Sequence, residues 1–90
     1  MKIPANTVIK LVRPNIDRAY LAIQNMDNTA TNLLYILPEQ AEPETFIKSG
    51  FCIGGYGLFE LQDCKSRKQK GEFYAYTTVA AGLDVRVLEL

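Results

Sequence analysis

The sequence predicts an all-β fold, a small β-sandwich or jelly-roll-like domain of about seven short antiparallel strands. Three observations lead there. No segment of ten or more residues places apolar side chains at three-to-four spacing between sensible caps, which is the mark of an amphipathic helix. Short runs rich in Val, Ile, Leu, Tyr and Phe are instead separated by Pro, Gly, Asn and Asp clusters. The chain has 90 residues, 48% of them hydrophobic, which suits one core and a single domain over residues 1–90.

The elements follow in order. Thr7–Val12 and Ala19–Asn25 read as strands across Arg13, Pro14, Asn15, Ile16 and Asp17, where Pro14 and Asn15 favour a turn. Asn32–Leu37 follows the loop Met26–Thr31, whose Asp27-Asn28 pair tolerates a left-handed backbone; Ala19–Asn25 and Asn32–Leu37 are therefore expected to form a hairpin. Pro38–Ser49 comes closest to a helix, but Pro43 interrupts it, so at most one turn is expected. Thr45–Ile53 and Tyr56–Gln62 suggest a second hairpin, since Gly54-Gly55 permits the positive φ angles of a tight turn. Gly71–Thr78 and Leu83–Leu90 complete the set, joined by Val79–Gly82. The expected core is Leu21, Ile23, Leu34, Ile36, Phe59, Leu61, Val85 and Val87.

Several strands are apolar on both faces, whereas a strand in a simple sandwich has one apolar and one polar side. Leu33, Tyr35 and Leu37 oppose Leu34 and Ile36; Phe73 and Ala75 oppose Tyr74 and Tyr76; the last strand ends in Leu88 and Leu90 on its polar side, beside Arg86. A 90-residue chain has one interior, so these second faces predict a cover supplied by another molecule, the alternative being tyrosine rings that lie flat on the surface with their hydroxyls in water. Tyr20, Tyr35, Phe73, Tyr74, Tyr76, Arg86, Leu88 and Leu90 are the expected interface. Tyrosine suits it, giving large contact area with little rotamer entropy to lose. The partners this implies are further copies of the chain, with a trimer favoured, or a second protein. The terminal segments Met1–Val8 and Val87–Leu90 are expected to add strands to a neighbour's sheet edge.

Composition argues against catalysis. The chain has no His and two Cys, which removes the usual metal-ligand set and most nucleophile-base pairings, and no phosphate-binding, dinucleotide or Ca-loop motif is present. Gly54-Gly55-Tyr56-Gly57 lacks the Lys-Ser/Thr and helix of a phosphate loop and reads as a turn. Glu42 and Glu44 lie among prolines, where nothing sets their pKa values apart for acid-base work. No catalytic, cofactor-binding or metal-binding residue is expected. Cys52 and Cys64 read as reduced thiols, with a cross-strand disulfide as the alternative. Met1–Pro14 carries no secretory signal and no apolar run is long enough to span a bilayer, so a soluble protein made in a cytoplasm is expected.

Ten Lys plus Arg balance ten Asp plus Glu, and zero net charge argues against nucleic-acid or anionic-membrane partners. The uneven feature is local: Lys65, Arg67, Lys68 and Lys70 stand between two strands, with an acidic counterpart in Glu39, Glu42 and Glu44. No aromatics are interleaved, so base stacking is not indicated. The basic run is either a solvated loop that blocks edge aggregation or a docking loop for an acidic protein surface.

One resemblance is visible. Arg18-Ala19-Tyr20-Leu21-Ala22-Ile23-Gln24-Asn25, a short Asn/Thr-rich gap and Asn32-Leu33-Leu34-Tyr35-Ile36 resemble the opening of small β-sandwich structural proteins of tailed-bacteriophage virions. Gly57-Leu58-Phe59-Glu60-Leu61, Gly71-Glu72-Phe73-Tyr74-Ala75-Tyr76 and Leu83-Asp84-Val85-Arg86-Val87-Leu88-Glu89 resemble their later strands in the same order. The likeness runs from Pro14 to the C-terminus; Gln62–Gly71 and Glu39–Thr45 depart from it, being charged where relatives are Pro/Gly-rich or glycine-rich. It implies a non-enzymatic capsid decoration protein, binding itself and a major capsid protein or other virion protein, located in the virion after assembly in the host cytoplasm. Head-fibre or tail accessory proteins, and a receptor- or carbohydrate-binding module, are the alternatives.

Overall fold

The structure, a computed structural model, describes residues 1–90. The chain crosses between two sheets at every connection except that from β4 to β5: β1 (Lys2–Ile3), β2 (Ile9–Val12), β3 (Tyr20–Asn25), β4 (Leu34–Leu37), the helix α1 (Pro43–Ser49), β5 (Phe51–Ile53), β6 (Leu58–Gln62), β7 (Phe73–Tyr76) and β8 (Leu83–Glu89). One sheet has the order β1-β8-β3-β6 and the other β2-β7-β4-β5, with every pair antiparallel. First pairs with last, second with seventh, third with sixth and fourth with fifth, which is the wrapping of a jelly roll, a form of small all-β sandwich.

The pleat decides what enters the core. Leu21 and Ile23 of β3 point inward and meet Leu34 and Ile36 of β4 across the interior, joined by Leu11, Val12, Ile53, Phe73, Ala75, Leu83 and Val85 in one buried cluster. Phe59, Leu61 and Val87 pack against its margin, half-buried because β6 is an edge strand and β8 leaves its neighbour β1 behind after Val85.

Neither expected hairpin forms. β3 is paired on both edges, by β6 and β8, while β4 lies in the opposite sheet between β5 and β7. The inward faces of β3 and β4 bury more apolar area by stacking across the core than they would side by side. Asn25 secures the crossing: its fully buried amide donates to the carbonyls of Asn32 (2.9 Å) and Ile53 (3.0 Å) and accepts from the Asp27 amide (3.0 Å). Tyr56–Gln62 likewise leaves Thr45–Ile53 for the other sheet, and Thr45–Ser49 is helical rather than extended. Pro43 starts α1 instead of breaking it, because its missing N–H falls among the unpartnered amides of the first turn; Glu44 and Lys48 then sit favourably on the helix dipole.

The glycine turn also works differently. Positive φ falls on Tyr56 (61°) and not on Gly54 or Gly55. Gly55 is required by proximity: a Cβ there would lie 2.5 Å from the Thr29 carbonyl oxygen and 2.7 Å from that of Asp27, where the β5–β6 turn presses on the β3–β4 loop. Gly55→Ala is expected to cost about 1–3 kcal/mol as backbone is forced apart, measured by urea unfolding; a variant as stable as the parent refutes the contact.

The N-terminus is used within the chain. Lys2 and Ile3 pair with Asp84 and Leu83, and Met1 exchanges backbone bonds with Val85, so the N-terminal segment adds an eighth strand, β1, at the edge of its own chain's sheet. At the other terminus Val87–Glu89 pairs with β3 on one side and has no strand on the other.

Candidate interaction surface

The two outer sheet faces differ. On the β2-β7-β4-β5 sheet α1 lies across the outside and drives Phe46 into a second buried cluster with Leu37, Tyr74 and Tyr76, flanked by Val8, Tyr35 and Ala41. The Phe46 and Tyr76 rings sit 5.9 Å apart, and the Tyr76 hydroxyl donates to Asn6 Oδ1 at 3.3 Å. The second apolar face of β4 and β7 is therefore covered by the chain itself. This corrects the expected interface: Phe73 belongs to the main core, Tyr74 and Tyr76 are buried under α1, and Tyr35 is half-buried at its margin.

The β1-β8-β3-β6 sheet carries no such cover. Its outward side chains come in rows set by the register, Leu58-Gln24-Arg86, Glu60-Ala22-Leu88 and Gln62-Tyr20, with Leu90 extending β8 beside Tyr20 through reciprocal backbone bonds. Leu58, Leu88 and Leu90 are 54%, 49% and 68% exposed. Tyr20, Ala22, Gln24, Leu58, Arg86 and Leu88 line a shallow hollow of about 210 Å³, its floor made by the small side chain of Ala22. Four expected interface residues, Tyr20, Arg86, Leu88 and Leu90, thus share one face. Leu58 escaped the sequence reading, although its signal was present: it stands in phase with Glu60 and Gln62, an apolar residue on a polar side.

Electrostatics order this face. The Tyr20 hydroxyl donates to one Glu60 oxygen and Gln62 Nε2 to the other (2.8 Å). These bonds, Tyr20 first, hold the Glu60 carboxyl below its usual range, and the bond to Glu60 in turn raises the Tyr20 phenol. Because the folded-state carboxyl is depressed, the arrangement is complete above the ordinary carboxylate range and is lost as pH falls through the lowered value. Tyr20→Phe should let Glu60 titrate higher by carboxyl-carbon NMR; an unchanged midpoint shows that the bond does not form in solution.

The basic loop is a built structure at one end of the sandwich. Gln69 Oε1 accepts from the amides of Lys65 (2.9 Å) and Ser66 (3.0 Å), and Ser66 Oγ accepts from the Gln69 amide (3.1 Å), winding residues 65–70 into a tight turn. Lys65, Arg67 and Lys70 line a notch of about 460 Å³ with Pro14 and Ile16, and Lys70 Nζ donates to the Ile16 carbonyl at 2.8 Å. Lys68 is exposed on the same turn, outside the notch. The ion pairs of the chain are Lys10 with Glu72 (3.3 Å) and Arg18 with Glu89 (2.7 Å), so the basic turn is unneutralised.

Beneath that turn lies the residue the sequence concealed. Arg18, 1% exposed, donates through Nε to Glu89, through Nη1 to the carbonyls of Gln69 (2.8 Å) and Gly71 (2.7 Å), and through Nη2 to that of Arg13 (2.8 Å). One guanidinium ties the end of β2, the basic turn and the end of β8, which positions the notch. Only the planar five-donor fork of Arg reaches partners in so many directions.

No group of three or more His, Cys, Asp or Glu is placed to hold a metal ion. Cys52, exposed on β5, and Cys64, buried, are free thiols. No helix is long and apolar enough to cross a membrane. In comparisons with known proteins, no family model, curated protein or solved structure matches the chain.

Proposed function

We propose that the protein is a structural component of a tailed-phage virion, a capsid decoration protein that self-associates and then binds a repeating capsid surface. The observation that carries the reading is the uncovered β1-β8-β3-β6 face: the chain closes its other sheet with its own helix yet leaves Leu58, Leu88 and Leu90 in water. The virion assignment rests on the resemblance of the strand sequences described above. A second copy fits the open face, because its charges are self-complementary. A two-fold axis along β3 lays β6 of one copy over β8 of the other, bringing Glu60 opposite Leu88 of the second copy and diagonal to its Arg86, with Ala22 allowing close approach at the centre. Many modest contacts then suffice on a symmetric lattice, since a closed oligomer engages several sites at once.

Light scattering over a tenfold dilution tests the self-association, with Leu88→Glu as the variant. The parent is expected to be oligomeric and the variant, lacking the sheet-face contact, to fall to a smaller mass with its β spectrum intact; a parent that is monomeric at every concentration overturns it. Capsid shells assembled from the major capsid protein encoded alongside this one test the virion reading. Added protein should cosediment with them and raise their disruption temperature, and shells that neither bind nor stabilise overturn that reading.

A further inference from the structure

The jelly-roll wrapping sorts the loops by charge. β4 ends at Leu37, opposite Tyr74, so the acidic connection into α1 leaves the sandwich at the end where the basic β6–β7 connection returns to Phe73. Glu39, Glu42 and Glu44 therefore stand at the same end as Lys65, Arg67, Lys68 and Lys70, all of them exposed except the half-buried Lys70. Yet no ion pair joins the two sets within the chain. The opposite end is formed by residues 4–8, 26–33, 54–57 and 77–82, in which the one charged side chain is Asp27. Its Oδ2 already accepts from the Thr29 amide (2.9 Å) and Asn32 Nδ2 (2.8 Å). One end of the molecule thus carries two unsatisfied loops of opposite sign, and the other offers almost nothing to satisfy them.

We infer that two copies dock charged end to charged end, the Glu39–Glu44 segment of each seated against the Lys65–Lys70 turn of the other. Stacking charged end on neutral end leaves both loops without partners, whereas a two-fold through the charged end satisfies both in each copy, every contact being made twice. The fit has an apolar component too. Ile16 is 81% exposed in the notch that Lys65, Arg67 and Lys70 surround, so the arriving segment also covers apolar surface. This inference deepens the self-association proposed above but uses a different surface.

A charge-swap experiment in the Leu88→Glu background isolates the end contact from the sheet face. Lys65→Glu with Arg67→Glu and Lys68→Glu turns the 65–70 turn net acidic, and Glu39→Lys with Glu42→Lys turns the 39–44 segment net basic; all five side chains are exposed, and cooperative unfolding checks that each variant folds. Each variant alone is expected to dimerise at least about tenfold more weakly than its Leu88→Glu parent. Mixed one to one, they should form a heterodimer by native mass spectrometry that is tighter than either variant's own dimer and dissociates at high salt. A mixture that remains two monomeric species overturns the inference. So does a heterodimer indifferent to salt. Failure of the sheet-face reading appears separately, as a Leu88→Glu protein with the same mass as the parent.

Discussion

Arg18→Met is expected to lower the free energy of unfolding by about 3–5 kcal/mol, the range for breaking a buried charged network from one side. The loss falls on the acceptors. Glu89 is solvent-accessible and can hydrate, whereas the carbonyls of Arg13, Gln69 and Gly71 lose the donor that holds them together. A chain of this size has a total stability of roughly 5–13 kcal/mol, so the substitution removes a large share of it. Arg18→Lys should restore little, since an ammonium on one stem cannot fork to four partners. Urea unfolding measures the loss. Hydrogen exchange supplies the second readout, with the amides of residues 65–71 losing protection before the core strands, because the same guanidinium positions the basic turn. A Met variant within 1 kcal/mol of the parent shows that the turn is held by its own Gln69 and Ser66 bonds.

Phe46→Ala should cost about 3–5 kcal/mol, as expected for a fully buried aromatic side chain, and should also change how the protein associates. The seven-residue helix is too short to persist without its anchor. When it lifts, Leu37, Tyr74 and Tyr76 become the second uncovered apolar face that the sequence alone implies. The variant is therefore expected to bind a hydrophobic dye and to aggregate while retaining its β spectrum. A Phe46→Ala protein that loses the stability but stays monodisperse places the cover elsewhere.

Legibility from sequence varied with the distance over which each feature is decided. Strand positions were readable, because apolar alternation is a local property: Leu21, Ile23, Leu34, Ile36 and Val85 are all buried, and Phe59, Leu61 and Val87 pack at the core margin. Local reasoning failed where two answers share one local pattern. The loop after Asn25 has the composition of a hairpin turn and serves as a crossing between sheets, a choice made by the carbonyls of Asn32 and Ile53 that the Asn25 amide meets. Pro43 is a helix breaker at an interior position and a helix starter at the first, and what decides between them is Phe46 finding a pocket beside Tyr76. The interface reading divided along the same line: Tyr20, Arg86, Leu88 and Leu90 remain on an open face, while the self-made cover claims Tyr74 and Tyr76. Arg18 gave no local signal at all, since its partners lie 5, 51, 53 and 71 residues away.

An all-β sandwich, the inward side of β3, β4 and β8, and the presence of two oppositely charged loops can be read from the chain residue by residue, because pleat, hydropathy and charge are local. Tertiary structure decided which strands pair, which of two apolar faces stays open, and that both charged loops emerge at one end. These depend on nested pairings such as β1 with β8 and β2 with β7. Such long closures form only when the whole core condenses, and no window of local sequence contains their energy.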